Sequence, residues 1–140
     1  MSIARILAVL ALVLSLSGGV VKAWPIYYSQ VSSPLSRASS QYRIDPDWAA
    51  QHVLAGSATY GLNFPGEYDY AAFYCQNLCD GTRGCKSMFT SFDSSRPAAP
   101  KSWGVCTVFD APLEPRLYVD QSDGNFPAVG GYNKFGSPIG

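Results

Sequence analysis

Charge is scarce in this chain: acidic and basic side chains make up 14% of its 140 residues, ten of each sign, and His52 is the only histidine. No run of Lys and Arg occurs, which removes the electrostatic footing for nucleic acid or for an anionic membrane surface. C-x-x-C, G-x-S-x-G and N-x-S/T are all missing. Their absence excludes a dithiol redox pair, a nucleophile elbow and an N-glycan acceptor. A hydrolase of the nucleophile–base type would have to use His52, between Gln51 and Val53, and an isolated imidazole reads as a packing or solvent-facing residue. Glu67 with Asp69, and Asp120 with Asp123, are the carboxylate pairs to consider for glycoside cleavage. Both sit in turn-rich stretches where such groups cap or solvate. The run Asp120–Gly124 lacks the alternating ligands and the closing Glu of a calcium loop. No catalytic residue, metal or cofactor is expected.

One long apolar run is present, and it lies at the start. Arg5 precedes Ile6–Leu16, interrupted only by Ser15, and Val21-Lys22-Ala23 then sets short residues at a cleavage position. This pattern predicts a signal peptide over residues 1–23. The rival reading, a membrane anchor, needs roughly 20 apolar residues, more than this run provides. The expected mature chain is secreted and extracellular, with no membrane contact. Arg5 and Lys22 leave with the signal, so eight basic residues would face ten acidic ones, a formal charge of −2.

Cys75, Cys79, Cys85 and Cys106 all lie beyond the signal. An even number in a secreted chain predicts two disulfides. Zinc would need a second closely spaced ligand pair, and His52 is remote in sequence. On a helix, Cys75 and Cys79 fall on one face with nearly parallel Cα–Cβ vectors, a poor arrangement for a mutual bond. A turn through Gly81 and Gly84 can return Cys85 to Cys79. Cys106, in an apolar strand, can then meet Cys75 across the core. The expected bonds are Cys75–Cys106 and Cys79–Cys85.

Along the chain, residues 24–59 carry little periodicity, and Ser29–Ser40 reads as a flexible arm. A short helix is expected within Asp47–Ala55, capped by Asp45 or Asp47. Trp24, Tyr27 and Tyr28 form an aromatic cluster that either covers the core or anchors a ligand. Residues 60–140 are expected to form the folded domain. Tyr70–Cys79 has helical spacing, with Asp69 as its cap and Ala72, Cys75, Leu78 and Cys79 on the inner face. Lys86–Phe92 and Trp103–Phe109 read as strands, joined by a polar loop, with a further short strand at Leu117–Val119. The glycine-rich end, Gly124–Gly140, shows no element. The fold class is α+β: one helix packed on a small antiparallel sheet.

The spacing Cys75-x₃-Cys79, the nearby Cys85-Lys86-Ser87-Met88-Phe89, the distant Cys106 and the element Gly131-Tyr132-Asn133 resemble a PAN/apple domain. More narrowly they resemble small secreted apple-like proteins of filamentous fungi. The resemblance covers Tyr68 to Lys134, and Met88 stands where that pattern has an aromatic. It implies the same two disulfides and a non-catalytic module that binds a protein or a carbohydrate. An extracellular glycan or protein is therefore the expected partner, with Trp103, Tyr118 and Tyr132 as candidate stacking residues. The alternative is a secreted effector or surface-structural protein without a soluble ligand.

Overall fold

The structure, a computed structural model, describes residues 27–33, 41–62, 68–96, 102–121 and 124–135. The expected signal peptide and Trp24 lie outside these residues.

Seven strands and two helices are present among them. In chain order they are β1 (Tyr27–Val31), β2 (Tyr42–Ile44), α1 (Pro46–His52), β3 (Ala58–Leu62), α2 (Tyr68–Gly81), β4 (Ser87–Phe92), β5 (Ser102–Phe109), β6 (Tyr118–Asp120) and β7 (Ala128–Phe135). A short 3₁₀ turn, Pro115–Leu117, leads into β6. Five strands form one antiparallel sheet in the order β1-β7-β4-β5-β3, and β2 pairs with β6 in a second, two-stranded sheet. The α+β class is as expected.

β4 explains the layering. Its six residues, Ser-Met-Phe-Thr-Ser-Phe, are all buried, so both faces of the sheet must be covered there. Met88 and Phe92 point toward α2, where they join Ala71, Cys75, Cys79, Cys106, Val108 and Tyr60 in one core, and the buried Thr90 between them shares a hydrogen bond with the Tyr60 hydroxyl. Phe89 points to the other face and joins Phe109, Leu113, Tyr118, Ile44 and Ala128 in a second core. Trp48 and Ala49 of α1, with Tyr42 of β2, pack against that second core. Fully burying a side chain such as Phe109 or Met88 contributes about 2–3 kcal/mol, so β4 and β5 together hold two hydrophobic layers to one sheet.

Both disulfides are present: Cys75–Cys106 ties α2 to β5, and Cys79–Cys85 ties the end of α2 to the approach to β4. The Cα atoms of each pair are 5.4 Å apart, within the range a disulfide spans. Gly84, with φ +82°, supplies the left-handed residue that turns the chain back toward Cys79.

The segment 24–59 differs from its expectation. Its described part is ordered secondary structure: β1 is an edge of the main sheet, β2 forms half of the small sheet, and α1 covers the second core. The Ser-rich composition concealed β1, because Ser29 and Gln30 lie on a sheet edge where polar side chains are tolerated. Residues 34–40 of the expected arm lie outside the described ones. α1 begins as expected, with the Asp45 carboxylate accepting from the amides of Asp47 (3.0 Å) and Trp48 (2.9 Å). α2 starts earlier than expected, so Asp69 sits in its first turn and is not its cap.

β7 is the other addition. It runs through Gly130-Gly131 and lies between β1 and β4. A Cβ at position 131 would collide with the Tyr118 hydroxyl and Leu113 Cδ1, so glycine there lets the second core close on the strand. Two residues on, Asn133 Oδ1 accepts from the Leu113 amide (2.7 Å) and Nδ2 donates to the Leu113 carbonyl (2.9 Å). The side-chain amide thus completes the backbone of a segment that has no strand partner.

Candidate functional site

The three candidate stacking residues are dispersed. Tyr118 is 5% exposed, its ring packs edge-on to Tyr42 at 5.1 Å, and its hydroxyl donates to the Val31 carbonyl at 2.9 Å. It is a core residue, which corrects its assignment as a ligand platform. Burial, followed by the neighbouring Tyr42, pushes its ionisation far above the ordinary tyrosine range. Tyr132 is half-buried on the α2 side of β7 and packs on the first core. Its hydroxyl is also raised, first by burial and then by Tyr42 and Asp69. A side chain wedged between helix and sheet is poorly placed to receive a ring. Trp103 is half-buried as well, but on the face of the sheet away from α2.

Trp103 lies on β5 opposite Gly61 of β3, on the face turned away from α2. The second core covers that face only toward β2, β6 and α1. Along the β3–β5 half it is only partly covered: Thr59 and Gly61 are exposed, and Trp103, Val105 and Thr107 are half-buried. These five residues share one face because Thr59 pairs with Val105 and Gly61 with Trp103. The Arg96 guanidinium sits 5.0 Å from the centre of the indole, a cation–π distance. Its Nε donates to Asp93 Oδ2 at 3.0 Å, which leaves the terminal nitrogens as donors. The Ser95 hydroxyl, then its amide and Arg96, hold the Asp93 carboxyl below the usual range. The result is an indole, a guanidinium and two threonine hydroxyls on one partly exposed strip.

A second surface was not anticipated. The outer face of α2 carries Tyr70, Phe73 and Tyr74, which are 50, 57 and 39% exposed. Tyr74 stacks on Tyr60 at 4.0 Å, and Tyr70 lies 6.5 Å from Phe73. The inner face of the same helix is held by both disulfides. The reading by cysteine spacing followed that inner face. The signal for the outer one was the set of aromatics at i, i+3 and i+4, with no charge among them.

His52 also has a specific partner. Its Nδ1 lies 2.8 Å from Asp110 Oδ1, and its ring is 4.5 Å from that of Trp48. Asp110 donates its amide to the His52 carbonyl, so the pair fastens the end of α1 to the end of β5. An imidazole held by a carboxylate is two parts of a hydrolytic triad. The contacts of His52 among the described residues supply no nucleophile.

Of the carboxylate pairs, Glu67 and Asp123 lie outside the described residues, while Asp69 and Asp120 are exposed. Among the described residues, no group of three His, Cys, Asp or Glu side chains could hold a metal ion, and no helix is long and apolar enough to cross a membrane. Comparison with protein-family models, with curated proteins and with solved structures returned no match.

Proposed function

We propose that this chain is a secreted, non-catalytic binding module that recognises an extracellular glycan through the partly exposed strip around Trp103. The observation that carries the reading is the partly exposed half of the sheet, where Arg96 lies over Trp103 on the face that also carries Thr59 and Thr107. Sugars present both apolar ring faces and hydroxyl groups. An aromatic edge with a guanidinium and threonine hydroxyls can answer both; Trp103, Thr59 and Thr107 stand on strands, which hold such groups rigidly, and Arg96 reaches over from the turn after β4. The resemblance of the cysteine pattern to apple-like proteins supports a binding role, and the two disulfides suit an oxidising extracellular setting.

The test is a glycan array probed with the exported protein and with Trp103→Ala. Binding to a defined glycan class, reduced at least tenfold in the variant while its circular dichroism is unchanged, is the expected result. A silent array, or equal binding by the variant, would overturn the glycan reading. Capture of an extracellular protein lost with the same substitution would transfer the strip to a protein ligand.

A second reading, a surface-structural protein without a soluble ligand, is favoured by the aromatic outer face of α2. Exposed aromatics of this kind suit assembly.

A further inference from the structure

The strand residues of the strip, Thr59, Gly61, Trp103, Val105 and Thr107, carry no charge. The cation that reaches it is Arg96, whose guanidinium lies over the indole. The carboxylate paired with that cation is held by its own turn. Asp93 Oδ1 accepts from the Ser95 amide at 3.1 Å and from the Ser95 hydroxyl, and Oδ2 accepts from Arg96 Nε at 3.0 Å. The Asp93 side chain is 9% exposed, whereas that of Arg96 is 47% exposed. The acid is withdrawn and the base is presented.

Of the five N–H donors of the guanidinium, the one on Nε is committed to Asp93. Among the described residues no acceptor meets the terminal nitrogens. Those two nitrogens offer parallel N–H bonds in one plane, the geometry that the two oxygens of a carboxylate accept together.

We infer that the glycan recognised by this strip is acidic: an oligomer of uronic acid whose carboxylate takes the terminal nitrogens of Arg96 while its ring lies along Trp103. The inference rests on the glycan reading above and adds the class of sugar. In a uronic acid the carboxylate is attached directly to the pyranose ring, so charge and apolar face are neighbours. Guanidinium and indole are neighbours here in the same way. The hydroxyls of Thr59 and Thr107, on the same face, are left for the sugar hydroxyls. A densely sulfated glycan would call for several cations, and this strip has one among the described residues.

Two charges oppose the contact and set its size. The mature chain carries a formal −2, which repels a polyanion only within a Debye length of about 8 Å in physiological salt. Asp93 stays ionised beside Arg96 and takes back part of the attraction. The contact therefore ranks as an exposed ion pair with favourable bidentate geometry, about fivefold in affinity.

The experiment is titration calorimetry on the exported, disulfide-intact protein. Oligomers of galacturonate, glucuronate and mannuronate are each compared with their methyl ester, which keeps the ring and removes the charge. At least one acid should bind about fivefold more tightly than its ester, and the difference should shrink at high salt. Arg96→Gln should bring acid and ester to equal affinity. Arg96→Lys keeps the charge without the planar fork and should reduce the ratio below about twofold. Trp103→Ala should weaken acid and ester alike. Circular dichroism should be unchanged in all three variants. Equal binding of acid and ester by the wild type, or a preference that survives in Arg96→Gln or at full size in Arg96→Lys, would overturn the acidic assignment and leave the glycan reading standing. Tighter binding of a sulfated oligosaccharide that lacks carboxylates would overturn the choice of carboxylate. Binding to no glycan, charged or neutral, would overturn both.

Discussion

Replacing Cys75 and Cys106 together with alanine should be the most damaging conservative change available to this fold. Both residues are fully buried, and their bond spans 31 positions of chain. Closing a loop of that length removes about 3.5 kcal/mol of conformational freedom from the unfolded chain. The Cys79–Cys85 bond spans six positions, and the same relation assigns it about 2.5 kcal/mol. The first bond also joins two layers, α2 and β5, whereas the second joins neighbours along the chain. For a domain of about 100 residues each kcal/mol moves the melting temperature by about 4–8 °C. Loss of the long bond should therefore lower Tm by at least about 14 °C, and by about 4–8 °C more than the Cys79→Ala/Cys85→Ala pair. Thermal unfolding followed by circular dichroism at 222 nm on both double variants measures the difference. Equal losses, or a larger loss from the short bond, would refute the argument that loop length and layer bridging set the ranking.

Three further outcomes follow from the packing. Asp45→Ala removes the two hydrogen bonds that start α1 and should cost about 1 kcal/mol in urea unfolding, with the main sheet intact. Gly131→Ala forces a methyl against Tyr118 and Leu113 and should cost about 1–3 kcal/mol, whereas Gly81→Ala, with open space around it, should cost nothing; paired Tm measurements decide. At alkaline pH the hydroxyls of Tyr28, Tyr42, Tyr60, Tyr118 and Tyr132 are all raised in the folded state, with burial the leading cause at each. Because their folded values exceed the unfolded value near 10, the unfolded chain releases these protons first, so stability is full below pH 10 and falls above it. Tyrosinate absorbance should show these groups titrating only with unfolding; a single transition at pH 10 in a still-folded protein would contradict their burial.

How much of this was legible depended on which force shaped each segment. Trp103–Phe109 declared itself because Val105, Val108 and Phe109, β-branched or aromatic and close together, favour a strand. α2 did so because Cys75 and Cys79 must face inward together, and the two disulfides then followed from that one face. β7 stayed hidden because Gly131 answers a distant demand, room for Tyr118 and Leu113, while local propensity argues against a strand. The pairing of His52 with Asp110 was equally invisible, since 58 positions separate them and only the fold brings α1 to the end of β5. Among the candidate stacking residues, composition could not separate Tyr118, drawn into the second core, from Trp103, left on the partly exposed half of the sheet. The outer aromatics of α2 were readable in principle, because an exposed helix face built of Tyr70, Phe73 and Tyr74 departs from the polar pattern that water favours.

The place of β7 between β1 and β4 carries a consequence for biogenesis. Among the described residues β1 pairs only with β7, which lies far later in the chain. Until residues 128–135 emerge, β4 keeps one edge open and the second core lacks Ala128. Without β1 and β7 the main sheet is a three-stranded β3-β5-β4 unit under α2, and all four cysteines lie within it or its connections. Both crosslinks can thus close before the sheet is complete, and until β7 docks β4 presents an unpaired margin open to other strands.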